Sequence, residues 1–243
     1  MFKGPFDESI VKKAQEKKLV EINIHNLRKW AIDKRGTVDD RPYGGGKGML
    51  LRPEPIDAAL RHLKIKNQRS KIKITNKNSK IILLSPVGKL FNQKRAQKMA
   101  KFKWMTLICG HYEGIDYRVH QHLVDEVVSI GDYILTGGEI PAMVLTNSII
   151  RLIPGVLEPE ATELESFSPT SFVLSGMDKI DHVGSFVKGQ NLLEYPQYTR
   201  PENFKGHKVP EILLSGNHQE IEKWRQKKAL SRTRKLRPDL LRR

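Results

Sequence analysis

Three short apolar runs, each closed by small or turn-forming residues, and one long apolar run organise this chain. Residues 81–88 read IILLSPVG, residues 107–116 read LICGHYEGID, and residues 130–141 read IGDYILTGGEIP after an apolar lead at 127–130. The long run, 143–153, follows directly. Runs of this length predict strands at 81–86, 105–110 and 124–130. A helix is expected between the first two, at 92–101. The long run predicts a second helix over 140–152. It is apolar nearly all round, so it should be buried. Pro141 falls in its first turn, where proline is tolerated, and Pro154 stops it. Alternating strands and helices imply an α/β fold with a mainly parallel sheet and helices on both faces.

The flanks are read the same way. Residues 7–20 predict a helix that Ser9 caps, with Ile10, Val11 and Ala14 on one side. Residues 22–24 read as a short strand. Residues 38–48 form a loop with four glycines. Its GGGKG core is no phosphate-binding loop, because Gly48 follows the lysine where Ser or Thr is needed. Residues 56–63 predict a helix that Pro55 begins. Residues 64–80 are basic and polar, and the alternation KIKI at 71–74 suggests a hairpin. Residues 158–190 change character, with three Ser-Phe pairs and many turn residues. They read as a linker. Beyond them Asn217 and Glu220 have the spacing of a capping box. The helix 218–232 should turn Ile221 and Trp224 inward and Arg225, Lys227, Lys228 and Arg232 outward. Three segments result: 1–157, the linker 158–190, and a small basic helical domain at 191–243.

Charge adds a partner. The net charge is +16 on 243 residues. It is not spread evenly: residues 62–80 hold seven Lys/Arg and no acid, and residues 189–243 hold 13 Lys/Arg against six Asp/Glu. That concentration points to a polyanion, RNA or DNA before a membrane surface. No run approaches the roughly 20 apolar residues of a membrane span. The opening MFKGPFDESIVKK lacks a signal peptide's apolar block. With the single cysteine, Cys109, a cytoplasmic location is expected.

The chemistry narrows by elimination. The glycines do not form a dinucleotide fingerprint. Cys109, His111, His120 and His122 lack zinc-ligand spacing, so no metal site is assigned. The glycine loops have two readings: tight turns in an α/β domain, or a place where Gly131 and Gly138 let a ligand approach the main chain. Arg151 also has two. It is a cation at a helix C-terminus, or a guanidinium aimed into a site beside the loops.

The three loops resemble the cofactor loops of the bacterial tRNA (guanine-N1)-methyltransferases. The resemblance extends to VDDRPYGGGKGM (38–49), RLIPGVL (151–157), LLEYPQYTRP (192–201) and LLSGNHQEIEKWR (213–225). It implies a SPOUT trefoil-knotted α/β fold, although sequence patterns alone argue against a knot. It implies S-adenosylmethionine as methyl donor, Mg²⁺ dependence, and a homodimer with shared active sites. The reaction implied is methylation of N1 of the guanine 3′ of the anticodon (position 37) in tRNA. The cofactor contacts would be Leu84, Ser85, Pro86, Gly110, Tyr112, Glu113, Gly114, Ile130, Gly131, Asp132, Tyr133, Ile134, Leu135, Gly137 and Gly138. Guanine N1 must lose a proton before it attacks, so a general base must reach it. Arg151 would stabilise the charge that develops toward O6.

Three departures stand out against that pattern. The family's base is the Asp of an Asp-Ser-Phe triplet, where this chain has Glu165-Ser166-Phe167. Glu163 and Asp181 are the alternatives. The linker is longer than the family's. The family usually opens with an apolar strand ending near Pro-Glu-Met-Phe, and this chain opens at Met1-Phe2 as though that strand were missing. A wrongly chosen start codon would explain it, and so would a truncation, which should cost stability. These departures leave a second reading, a noncatalytic RNA-binding protein derived from a knotted methyltransferase.

Overall fold

A computed structural model of the chain describes residues 1–63, 78–158, 161–162, 165–168 and 192–241. The expected hairpin at 64–80 lies almost wholly outside the described residues, as do Glu163 and Asp181. The chain divides into two compact units, Met1–Val156 and Leu157–Arg243.

The first unit contains β1 (Asp39–Asp40), β2 (Leu50–Leu51), β3 (Ser79–Leu90), β4 (Trp104–Cys109) and β5 (Glu126–Ser129). Its helices are α1 (Ser9–Glu16), α2 (Pro53–His62), α3 (Gln93–Met99), α4 (Tyr117–His122) and α5 (Glu139–Ile150). The main sheet is parallel, in the order β4-β3-β5. Central β3 explains the uninterrupted apolar run, since a parallel strand covered on both faces alternates nothing polar. Ile81, Ile82, Leu83 and Leu84 are all buried. Ile81 and Leu83 pack with Ile56 and Leu60 of α2 and Val119 of α4. Ile82 and Leu84 pack with Ala96 and Met99 of α3 and with Ala142, Leu145 and Ile149 of α5. Helices therefore cover both faces, as the alternation of elements predicts.

β3 does not stop at its turn. β5 pairs first with residues 82–84 and then, after a register shift, with Lys89 and Leu90. Leu84 and Lys89 share one partner, Val128, so residues 85–88 bulge away. Bulges of this kind re-aim a chain beside a site. Gly88 is what lets the strand return: a Cβ there would lie 2.5 Å from Val128 backbone atoms. Arg95 fixes the return. Its Nη1 donates to the carbonyl of Lys89 at 2.6 Å, and its Nη2 donates to Glu126 on β5 at 2.6 Å. Asp125 sets the start of β5, because its Oδ2 accepts the Ile81 N–H at 2.6 Å while its own N–H reaches the Ile81 carbonyl at 2.9 Å.

Several local expectations change. α1 is capped at Glu8 with no side-chain bond, and Ser9 sits at φ 54 as the first helical residue. Its buried residues, Val11 and Ala14, pack with Phe6 and with Ile150 of α5. Residues 22–24 form no strand, and Ile24 is exposed. Pro53, not Pro55, begins α2. α5 is buried on one side only, with Ile140 43% and Val144 40% exposed.

In the second unit α6 (His218–Leu236) is preceded by a hairpin, β6 (Asn203–Phe204) and β7 (His207–Lys208), which the sequence did not announce. Asn217 Oδ1 accepts the Glu220 N–H at 3.3 Å. The Glu220 carboxylate pairs with Lys223 at 2.7 Å, so half the capping box forms. Ile221 is buried and Trp224 partly so; Ala229 and Thr233 are buried as well. Arg225 is not turned outward. It is partly buried, with its guanidinium 4.9 Å above the Tyr195 ring.

Candidate active site

The bulge at 85–88 within β3 and the loops after β4 and β5 lie at the same edge of the sheet. Ligands of open parallel sheets bind beyond the carboxyl ends of the strands, so this edge is the first place to look. Two of the loops are fastened together. The Gly138 N–H donates to the Gly110 carbonyl at 2.8 Å, and His111 bridges Gly137 in antiparallel fashion. Gly138 must be glycine for a reason internal to the protein. A Cβ there would lie 2.6 Å from Cys109 Cα and 2.7 Å from the Gly110 nitrogen. By contrast a Cβ on Gly110 would meet Ile115 at 3.5 Å, an ordinary contact.

The loop at 110–116 is also stitched to β2. The Glu113 N–H donates to the Met49 carbonyl at 3.1 Å, Leu51 N–H to Gly114 at 3.0 Å, and Asp116 N–H to Leu51 at 3.0 Å. This gives the glycine-rich stretch a role that its failure as a phosphate loop concealed. Gly48, at φ 83, lies where a Cβ would be 2.3 Å from Glu113 Cγ. Tyr112 stands at φ 59 with half its surface exposed, and its hydroxyl accepts from Arg28 at 3.4 Å. In the loop after β5, Ser129 Oγ accepts the Gly131 N–H at 3.2 Å and donates to the Gly131 carbonyl at 3.0 Å. Ser129 is 5% exposed, so this turn is pinned from inside.

The expected contact residues sort by burial. Leu84 and Gly138 are buried, so Leu84 has only its main chain to offer. Ser85, Gly110, Gly114, Ile130, Gly131 and Gly137 are partly exposed. Pro86, Tyr112, Glu113, Asp132, Tyr133, Ile134 and Leu135 are exposed. The edge therefore offers main chain, aromatic and apolar surface, and the carboxylates of Glu113 and Asp132. That donor set fits an adenosyl sulfonium and lacks the cation cradle of a phosphate site. Among the described residues no group of three or more His, Cys, Asp or Glu is placed to hold a metal, whereas Mg²⁺ needs only one or two carboxylates beside water and substrate oxygens.

Cys109 lies beneath the loops. Burial, and then the nearby negative charge of Glu139, push its thiol up to about 12. It is a packing residue at neutral pH, not a nucleophile. At the start of α4, hydrogen bonds from Arg118 hold the Asp116 carboxyl below its ordinary value.

Arg151 is the C-cap of α5. At 1.5 Å per residue it lies about 20 Å along the helix from Gly138, so the structure does not bring it to that turn. Glu165 belongs to the second unit and to a tight turn. Ser168 N–H donates to the Glu165 carbonyl at 3.2 Å, and Phe167, at φ 68, donates its N–H to the Leu192 carbonyl at 2.9 Å. Ser166 Oγ accepts the Glu194 N–H at 2.9 Å. Leu193 N–H in turn donates to Thr233 Oγ of α6 at 2.9 Å. Ser166 and Thr233 thus anchor the triplet, a role that the alternation of polar positions could not reveal.

A parallel sheet covered by helices on both faces, with three glycine-containing turns at one edge, defines an α/β protein. The comparison with known proteins is specific. The profile of the tRNA (Guanine-1)-methyltransferase TrmD family matches residues 1–243. The tRNA (guanine-N(1)-)-methyltransferase of Dictyoglomus turgidum is 51% identical over 242 residues, covering 99% of this chain and 85% of that protein. Those of Geobacillus kaustophilus and Citrifermentans bemidjiense are 49% and 47% identical, each across 99% of this chain and 87% and 85% of theirs. The chain belongs to the tRNA (guanine-1)-methyltransferase family.

Proposed function

We propose that this chain transfers a methyl group from S-adenosylmethionine to N1 of the guanine 3′ of the anticodon in tRNA. The observation that carries the reading is the family match over residues 1–243, with relatives of about half identity along 99% of the chain. Those relatives carry the methyltransferase name, which favours an enzyme over a noncatalytic RNA binder. No helix among the described residues is long and apolar enough to cross a membrane. The reading places the protein in the cytoplasm with its tRNA.

The cofactor supplies an electrophilic methyl on a sulfonium. The chain's residues do the rest. The loops at 85–88, 110–116 and 130–138 hold the cofactor by main chain and aromatic surface. Glu165 takes the N1 proton of guanine, and a carboxylate in an anchored turn suits that task. Arg151 faces the oxygen where negative charge grows. The trefoil knot belongs to this reading through the family match alone.

Two chains complete each site in this reading. Arg151 lies far along α5 from the Gly138 turn, and the exposed Ile134, Ile140 and Val144 offer apolar surface to a second copy. A two-fold dimer then uses the loops of one subunit with the base of the other. The segments follow: residues 1–157 bind cofactor, 158–190 link, and 191–243 bind tRNA. Calorimetry with S-adenosylmethionine tests the first half of this reading, and stoichiometric binding is expected. Coexpression tests the second. Gly138→Val and Glu165→Gln chains, each inactive alone, should regain activity as a purified heterodimer. A stable heterodimer no more active than its parents removes the shared site.

A further inference from the structure

The pair His111 and Glu139 stands between two of the three loops. His111 follows Gly110 at the end of β4, and Glu139 is the first residue of α5, directly after Gly137 and Gly138. His111 Nε2 lies 2.7 Å from Glu139 Oε1. The carboxylate is 17% exposed and the imidazole 44% exposed, so the bond is partly shielded from water and correspondingly stronger. A carboxylate in the first turn is also favoured by the helix dipole. The second carboxylate oxygen, Oε2, is buried and has no partner among the described residues. It lies over Gly137: a Cβ there would be 2.5 Å from Oε2 and 2.9 Å from His111 Cε1. A side chain at 137 would therefore push the pair from its present position. The same stretch carries the His111–Gly137 bridge and the 2.8 Å bond from Gly138 to Gly110. That bond is part of the bridge, so two links close one seam: the backbone bridge and the side-chain pair.

We propose that His111 and Glu139 are positioning residues, a clasp that holds the Gly137–Gly138 turn against the Gly110 turn and so fixes the cofactor-binding edge before the cofactor arrives. The inference rests on reading these loops as the cofactor site. A preformed edge binds more tightly because less ordering remains to be done on binding. As a support of that edge, the pair should affect cofactor affinity and not tRNA.

The test is a double-mutant cycle read by calorimetry and kinetics. His111→Ala and Glu139→Ala should each weaken S-adenosylmethionine binding about tenfold, the scale of one lost charged hydrogen bond. The double variant should be no weaker than the worse single one, because both remove the same link. His111→Arg, which restores an N–H donor to Glu139, should recover most of the affinity. The KM for tRNA should stay unchanged throughout. Fully additive losses, or a raised tRNA KM with cofactor affinity intact, overturn the proposal. Hydrogen exchange on the unliganded protein separates this from the function itself. Amides 137–139 should exchange faster in both single variants even if no cofactor binds, and unchanged exchange overturns the clasp. A wild-type chain that exchanges as expected but binds no S-adenosylmethionine overturns the proposed function instead.

Discussion

Gly138→Ala adds one methyl group to a place where the protein has no room. The new Cβ would sit 2.6 Å from Cys109 Cα and 2.7 Å from the Gly110 nitrogen. Both are backbone atoms, so no rotamer change relieves the clash. Gly138 has φ −81, so the cost is not conformational strain. The loops must part, and the 2.8 Å bond from Gly138 to Gly110 goes with them. Overpacking costs about 1–3 kcal/mol, and a lost backbone hydrogen bond costs about 1 kcal/mol more. The sum, about 2–4 kcal/mol, should lower the urea midpoint by roughly 1–2 M for a typical dependence on denaturant. Gly110→Ala is the control, because its Cβ meets Ile115 at an ordinary 3.5 Å and should move stability by less than about 1 kcal/mol. Urea titrations followed by circular dichroism compare the two without any cofactor. Equal effects, or a neutral Gly138→Ala, refute the packing explanation. Loss of cofactor binding in Gly110→Ala with stability intact would mark Gly110 as the glycine that a ligand approaches.

Other outcomes are equally specific. Gly88→Ala, with its Cβ 2.5 Å from the Val128 backbone, should destabilise the first unit by about 1–3 kcal/mol, read in the same titration. Glu165→Gln should abolish methyl transfer and leave cofactor affinity unchanged, measured by single-turnover assay and calorimetry; full activity would move the base elsewhere in the linker. Cys109 should resist thiol reagents at neutral pH. Because its folded thiol titrates at about 12 against an ordinary 9.0, the folded state holds the proton longer. Its contribution is present below pH 9 and is lost as pH rises toward 12. Lys227→Ala with Lys228→Ala should weaken tRNA binding and flatten its salt dependence, by about one in the logarithmic slope for each phosphate no longer neutralised, in filter-binding titrations at several salt concentrations.

The sheet was legible because burial on both faces leaves an unbroken apolar run, and 81–84 is such a run. The loops were legible because glycine is costly elsewhere. What escaped depends on tertiary pairing. The resumption of β3 at Lys89 needs β5 beside it, and nothing local in KLFN announces a strand. Gly48 and Glu113 lie far apart in sequence, so their packing leaves no periodic trace. Residues 22–24 have the composition of a strand, yet no neighbour among the described residues pairs with them. Arg225 reads as one more outward cation until Tyr195 is found beneath it. Ser9 has the chemistry of a cap, but the helix enters one residue earlier. The half-exposed face of α5 also contradicts the simple rule that an all-apolar helix is buried. Such a face is what a second copy of the chain would cover.

The reaction itself can be measured directly. Purified protein, labelled S-adenosylmethionine and unmodified tRNA transcripts with G or A at the position 3′ of the anticodon test it most directly, with the product nucleoside identified by chromatography and mass. The proposed reaction predicts label in 1-methylguanosine from the G transcript, none from the A transcript, and none with Glu165→Gln. Label in any other nucleoside, or no label with cofactor demonstrably bound, would contradict it.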